Sequence, residues 1–368
     1  MGWSALCGTA SSRVLPLAPG YDSPMQASRH RTASAVALAL GPALLGVATA
    51  VGGLQSAATT ALLWGEPMLL AAALYGVLYL SWERRSAEAL SLLFGSILGA
   101  VAIHQPATPL PVDGLDAAWS ERLRDCASQP ERPTGEVRTL IWTLGSAGLS
   151  PADLALIEGQ RPDLVVLTGG GLAEPAHALS QALGGESKLL PGPSPDADLA
   201  LVVRGGFHYC GGREDVWEMP LPRHPGGQAR AVLSFPDVRG VGVVPLLVGQ
   251  LDDPGAMGEW LRWPARVLGG GRQLGALAHA LGPNNMVVVA DAQAPRTARQ
   301  LDGLLMGAGL DPLSVPATWP DRLGPIPALP QHALDRAWVG SGWASLGVTT
   351  IRGSGHDRRG LLLRIRLR

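Results

Sequence analysis

The chain is poor in cysteine, in lysine and in charge. Three cysteines, Cys7, Cys126 and Cys210, are spread over 368 residues. Zinc motifs place their ligands in pairs two to four residues apart, so this spacing excludes them. Cys126 and Cys210 fall in the same C-terminal region and would pair in an oxidising compartment; the alternative is two separate buried thiols. Lys188 is the only lysine, and the net charge is −1. No basic face exists to neutralise phosphates, so charge gives no argument for a nucleic-acid partner. There is no Gly-x-Ser-x-Gly elbow and no His-Glu-x-x-His pair. Gly269-Gly270-Gly271 with Gly275 lacks the Lys-Ser/Thr that a phosphate loop requires.

What the chain has in quantity is apolar residues, 46% of the total against 16% charged. They are unevenly placed. Between Thr32 and Ile103 the only charges are Glu66, Glu83, Arg84, Arg85 and Glu88. A bilayer needs about 20 apolar residues as a helix. Three segments, about 34–54, 60–82 and 87–103, are read as transmembrane helices, the third being the shortest. Trp64, Tyr79 and Trp82 lie near segment ends, where amphipathic rings favour the interface. Arg29 and Arg31 precede the first segment, and Arg84 and Arg85 separate the second from the third. The positive-inside rule then puts the N-terminus in the cytoplasm and, with three crossings, the C-terminal region outside. With only two crossings that region is cytoplasmic. Ala48-Thr49-Ala50 also resembles a signal-peptide cleavage site, against which the long first segment and its apolar successors argue. Met25, followed by a basic run, is an alternative start to Met1. The expected organisation is a lead-in at 1–33, an anchor at 34–103, a Pro-rich linker at 104–135 and one domain at 136–368. The lipid bilayer is the expected partner, in the plasma or inner membrane.

Beyond the linker, strand-like and helix-like runs alternate. Strands are expected at 137–143, 164–167, 199–203, 229–235, 241–248, 286–290, 337–339, 347–351 and 361–367. Helices are expected from Ser150-Pro151, a good cap and first turn, at 257–267 and 273–281, and at 298–309. About nine strands and four or five helices suit an α/β (α+β) domain: a two-sheet sandwich flanked by helices, or one mixed sheet.

Four stretches in this order resemble the endonuclease/exonuclease/phosphatase superfamily, in particular its membrane-anchored bacterial branch. Arg161-Pro162-Asp163-Leu164-Val165-Val166-Leu167 resembles the family's second strand. Val287-Val288-Val289-Ala290-Asp291-Ala292-Gln293-Ala294 resembles its Gly-Asp-Phe-Asn-Ala strand end. Ala317-Thr318-Trp319-Pro320 with Leu334-Asp335-Arg336-Ala337-Trp338-Val339 resembles its Thr-Trp-Pro and Ile-Asp-His segments. Gly353-Ser354-Gly355-His356-Asp357-Arg358 resembles its terminal Gly-Ser-Asp-His-Arg. The resemblance implies a deoxyribonuclease-I-like four-layer fold and hydrolysis of phosphoesters with a divalent metal, usually magnesium.

The resemblance assigns roles position by position. Asp291, Gln293, Asp335, His356 and Asp357 fall at catalytic positions, and Asp291 is also the candidate metal ligand. Thr143, Gln250 and Trp319 fall at substrate-binding positions, for a phosphate-containing ligand. The departures are as informative. The metal-binding Glu is replaced by Gly169, the central His by Gln250 and the Asn by Gln293. The terminal Asp-His reads Gly355-His356, so either His356 keeps its role, or the loop shifts by one and Asp357 with Arg358 replaces the pair. Magnesium wants carboxylates in octahedral geometry, and loss of a general base costs about 10²–10⁴ in rate. The expectation is a weak or lost phosphodiesterase with a binding role, the alternative an active, diverged phosphohydrolase or nuclease.

Overall fold

The structure is a computed structural model that describes residues 24–52, 57–104, 107–111, 133–144, 149–190, 197–209, 216–223, 225, 229–252, 262–294, 299–323, 326–327, 332–354, 356 and 358–368. The three apolar segments are helices α1 (Pro24–Gly52), α2 (Ala57–Trp82) and α3 (Ser86–Ile103). α1 and α3 touch through small residues. A Cβ on Gly46 or Gly99 would strike the backbone of the facing helix, and one on Gly95 would strike Ala39. Close approach at small residues favours helix pairing without a large apolar core between the helices. Among the described residues, the exposed large hydrophobic side chains lie on these helices, apart from Tyr209 and Leu346. Also among the described residues, no helix is long and apolar enough to cross a membrane. The expected transmembrane spans are therefore present as helices and unconfirmed as spans.

The remainder is four layers. The first sheet has the order β11-β12-β1-β2-β4-β3, with β1 (Glu136–Thr143), β2 (Leu164–Thr168), β3 (Glu186–Leu190), β4 (Leu199–Val203), β11 (Trp343–Ile351) and β12 (Gly360–Leu367). The second has the order β9-β10-β8-β7-β6-β5, with β5 (Val216–Pro220), β6 (Arg230–Ser234), β7 (Leu246–Gln250), β8 (Val287–Asp291), β9 (Leu310–Pro312) and β10 (Asp335–Gly340). β1 with β2 and β7 with β8 are parallel, which demands a crossover; the other neighbours within the two sheets are antiparallel.

Strand alternation sorts the side chains into three cores. Ile141, Val166, Leu201, Val232, Val248, Val289, Ala337 and Leu363 meet between the sheets. Their neighbours Leu140, Val165 and Val202 face outward onto Ile157 of α4 (Pro151–Gln160) and Leu179 of α5 (Ala173–Leu183). On the second sheet Leu233, Leu247 and Val288 face Leu274 of α6 (Trp263–Leu281) and Leu304 of α7 (Arg299–Gly307). Burial of each such side chain is worth about 1.5–3 kcal/mol. The strands are apolar on both faces because both faces are covered. This is the two-sheet sandwich flanked by helices.

Several expectations need correction. The helices expected at 257–267 and 273–281 are, from Trp263 on, one helix, α6, with the three glycines inside it, and 257–261 lie outside the described residues. A Cβ at Gly269, Gly270 or Gly271 would press on Pro222, Leu251 or Leu301 respectively, so tertiary packing overrides the poor helix propensity of glycine. The long strand expected at 241–248 is broken at Pro245: Gly242–Val243 joins a small three-stranded sheet and β7 starts at Leu246. α5 and β3 were not expected at all. The linker's described part packs onto the domain: Leu110 N–H donates to Gly303 O at 2.8 Å, and Gly307 leaves no room for a Cβ beside Leu110. Cys7, Cys126 and Cys210, and most of the linker, lie outside the described residues.

Candidate active site

The second sheet ends in a polar row. Arg230, Gln250, Asp291 and Asp335 are successive cross-strand partners at the tips of β6, β7, β8 and β10. Thr143 and Thr168 end β1 and β2 at the facing edge of the first sheet. The two edges are joined by side chains. Thr168 Oγ1 donates to Thr143 Oγ1 at 2.9 Å, and Thr143 Oγ1 donates to Asp335 Oδ1 at 3.1 Å.

Asp291 is closed by two neighbours. Arg358 Nη1 donates to Asp291 Oδ1 at 2.9 Å, and Arg358 Nη2 donates to Gln293 Oε1 at 2.9 Å. Gln293 Nε2 completes the ring by donating to Asp291 Oδ2 at 3.0 Å. To do so Gln293 sits at φ 50°, in the left-handed region, at a cost of order 1 kcal/mol. Asp335 is fully buried beside this group. Burial, then the charge of Asp291, push its carboxyl up to about 6, against the pull of Arg358 and the threonine hydroxyls. Among the described residues, Asp335 Oδ2 and Gln250 Oε1 have no hydrogen-bond partner.

At the other end of the row Arg230 is buried between Asp198, at short range, and Glu218, whose Oε1 it reaches at 3.1 Å. Burial lowers its guanidinium to about 10. The position expected for the metal-binding Glu is Gly169, whose N–H donates to Asp198 O at 2.9 Å. No carboxylate enters the site from there.

His356 lies on a different carboxylate, Asp153. Its Nε2 lies 3.1 Å from Asp153 Oδ2, and its ring meets Trp142 edge-on at 5.2 Å. Asp153 closes the capping box of α4: Ser150 Oγ accepts from its N–H, and its carboxylate accepts from Ser150 N–H. It also accepts from Ser354 N–H at 2.7 Å. The expected catalytic residue His356 is therefore seated on Asp153, while Arg358 is the side chain of this loop that bonds Asp291. Of the shifted-loop alternative, the structure describes only the Arg358 half. Asp357 lies outside the described residues. Trp319 stacks on His332, centroids 6.0 Å apart at 26°, and their backbones pair.

The structure thus brings together Asp291, Gln293, Asp335, Thr143 and Gln250, and adds Thr168, Arg358 and Arg230. Asp153 carried a signal that was missed: it stands three residues after the N-cap Ser150, the capping-box position. Thr168 carried none, because only the pairing of β2 with β1 sets it beside Thr143.

The resemblance implied magnesium, and the residues do not fit it. Both oxygens of Asp291 already accept hydrogen bonds, and among the described residues no group of three His, Cys, Asp or Glu could hold a metal ion.

No protein-family model matches the chain, and no curated protein matches it. Solved structures do. An endonuclease/exonuclease/phosphatase from Beutenbergia cavernae is 16% identical, with 63% of this chain and 72% of that one covered and a TM-score of 0.42. A family protein from Bacteroides thetaiotaomicron is 10% identical over 65% of this chain and 100% of that one, at a TM-score of 0.46. Sphingomyelinase C from Streptomyces griseocarneus is 12% identical over 63% and 99%, at 0.41. The fold itself rests on the layers and strand order above.

Proposed function

We propose that the chain is a membrane-anchored domain of the endonuclease/exonuclease/phosphatase type that no longer hydrolyses phosphoesters with a metal. Its strand-end site is instead a binding module for a ligand or protein partner. The observation that supports this best is the closure of Asp291 by Arg358 and Gln293. With Asp291 already bonded to a guanidinium and an amide, and Asp335 holding its proton up to about pH 6, magnesium is left without the free carboxylates it requires. The replaced Glu and His positions, Gly169 and Gln250, point the same way. The test uses the full chain in detergent with magnesium or manganese, on bis(p-nitrophenyl) phosphate and on DNA. No metal-dependent turnover above the blank is expected. Turnover abolished by Asp291→Ala would overturn the reading.

A second reading, an active diverged phosphohydrolase, is favoured by one observation. Asp335 holds its proton to about pH 6 beside Asp291, and a carboxyl raised that far can act as a general acid. A rate profile with an acid limb near pH 6, lost in Asp335→Asn, would support it.

The anchor reading rests on the apolar exposure of α1–α3 and their small-residue contacts. It places the helices in the lipid bilayer and the C-terminal domain outside the cytoplasm. The expected outcome is retention in the membrane pellet after alkaline carbonate washing. A periplasmic-type reporter fused after Arg368 should be active; a cytoplasmic reporter active there would reverse the topology.

A further inference from the structure

Two carboxyl groups, Asp291 and Asp335, face each other across one strand spacing, about 5 Å between neighbours. Both are buried, at 4% and 0% exposure, so neither can lean on solvent. Such a pair needs a cation. The cation present is a guanidinium, and the loop that carries it is fastened on every side. Before Arg358, Ser354 N–H and Oγ donate to Asp153 Oδ1 at 2.7 and 3.2 Å, and His356 Nε2 lies 3.1 Å from Asp153 Oδ2. At Arg358 itself, Trp142 Nε1–H donates to its carbonyl at 3.3 Å. After it, Arg359 N–H donates to Thr318 O at 2.9 Å. Arg352 and Arg359 both grip Asp321, at 2.9 and 2.7 Å. Gly353 and Gly360 let the loop lie flat on Trp142, where a Cβ at either would press into the indole. Arg358 reaches an Asp and a Gln oxygen at once with the two arms of its planar fork. A lysine, a point charge, has no second arm to place.

We infer that the Arg358 guanidinium is the resident cation of this site, standing in place of a divalent metal, and that the loop at 352–359 exists to hold it there. The inference rests on the reading of the site as non-hydrolytic and goes beyond it. It assigns the counter-charge to one residue and makes the site's integrity independent of metal. Asp291, Asp335, Gln293 and Thr143 remain ready-placed oxygen donors beneath the guanidinium. Removing that group alone should convert a metal-blind site into one that takes a hard cation.

The test is manganese binding to the full chain in detergent, followed by calorimetry and by thermal unfolding in EDTA and in millimolar MnCl₂. Wild type should bind no stoichiometric manganese at the site and show the same unfolding midpoint in both buffers. Arg358→Ala should unfold earlier than wild type in EDTA and recover with manganese, with roughly one ion bound and the midpoint raised by mass action. Arg358→Ala with Asp291→Asn should lose both the binding and the recovery. Arg358→Lys, which keeps the charge, should stay metal-blind and serves if the alanine variant does not fold. Wild type binding manganese that Asp291→Asn removes would overturn the inference, as would a folded Arg358→Ala that binds no more manganese than wild type. Hydrolysis is read separately. Turnover by a wild-type protein that binds no manganese at Asp291 would sink the non-hydrolytic reading and leave the guanidinium assignment standing.

Discussion

Asp153 and Asp335 are both buried aspartates, at 1% and 0% exposure, yet their environments drive them in opposite directions. Asp153 accepts from the N–H and hydroxyl of Ser150, from the N–H and hydroxyl of Ser354 and from the His356 ring. Burial raises its carboxyl, but these donors outweigh burial and hold it below the usual 3.8. Asp335 accepts from the Thr143 hydroxyl on one oxygen, lies beside the Thr318 hydroxyl, and among the described residues has no hydrogen-bond partner on the other oxygen. Burial and the neighbouring Asp291 push it up to about 6. Burial alone therefore decides nothing; the number of donors aimed at the charge does. The first arrangement is a latch that joins α4 to the loop before β12. The second is a strained acidic pair that needs Arg358.

The largest expected effect comes from removing that counter-charge. Arg358→Ala should destabilise the domain by about 3–5 kcal/mol, the cost of breaking a buried pair by deleting one partner, measured by chemical denaturation. Combining it with Asp335→Asn should restore part of the loss. A simple sum of the two single effects would break the idea of an acidic pair sharing one cation.

Next is the latch. Asp153→Ala strips the acceptor from the half-buried Ser150, the exposed Ser354 and the buried His356 and should cost about 1–3 kcal/mol. Its pH behaviour is opposite to that of Asp335. A carboxyl lowered in the folded state adds stability above the unfolded value near 3.8, and this is lost as pH falls below it. Asp153→Asn should abolish that acid-side loss.

For Asp335 the sign reverses. Between about 4 and about 6 the native state keeps a proton that the unfolded state has released. Stability should fall as pH rises through this window, by at most about 3 kcal/mol at 1.36 kcal/mol per unit. Asp335→Asn should be more stable than wild type above pH 6 and should flatten the fall. An unchanged profile would show that the pair is not the source. The smallest effect is expected from His356→Gln, about 1 kcal/mol, because Asp153 keeps its serine donors. Calorimetric midpoints at neutral pH would check it.

Much of the fold could be read from short-range pattern. The apolar runs at 164–167 and 286–290 are central strands, and Ser150-Pro151 starts a helix. Other features escaped, the unbroken α6 and β3 among them. Gly269, Gly270 and Gly271 read as a break between helices, and only Leu251 and Leu301 packing into the space they leave explains an unbroken α6. β3, half-exposed and mixed in character, carries no clear alternation and is held by its pairing with β4. In the site, Asp291, Gln293, Asp335, Thr143 and Gln250 could be named from resemblance because they end strands at recognisable motifs. His356 could not be placed, because a one-residue shift in a Gly-rich loop decides which side chain enters.

By itself the sequence determined most central strands, the Ser150 cap, the apolar first third and the residues Gly169 and Gln250 at the strand ends, since each is a matter of local pattern or residue identity. Only the tertiary structure decided the chemistry of the terminal loop. His356 meets Asp153 across 203 positions, and Arg358 meets Asp291 across 67. Contacts that distant leave no periodic trace in the chain. They exist because two sheets stack face to face and bring their strand ends, and the loops between them, to one edge.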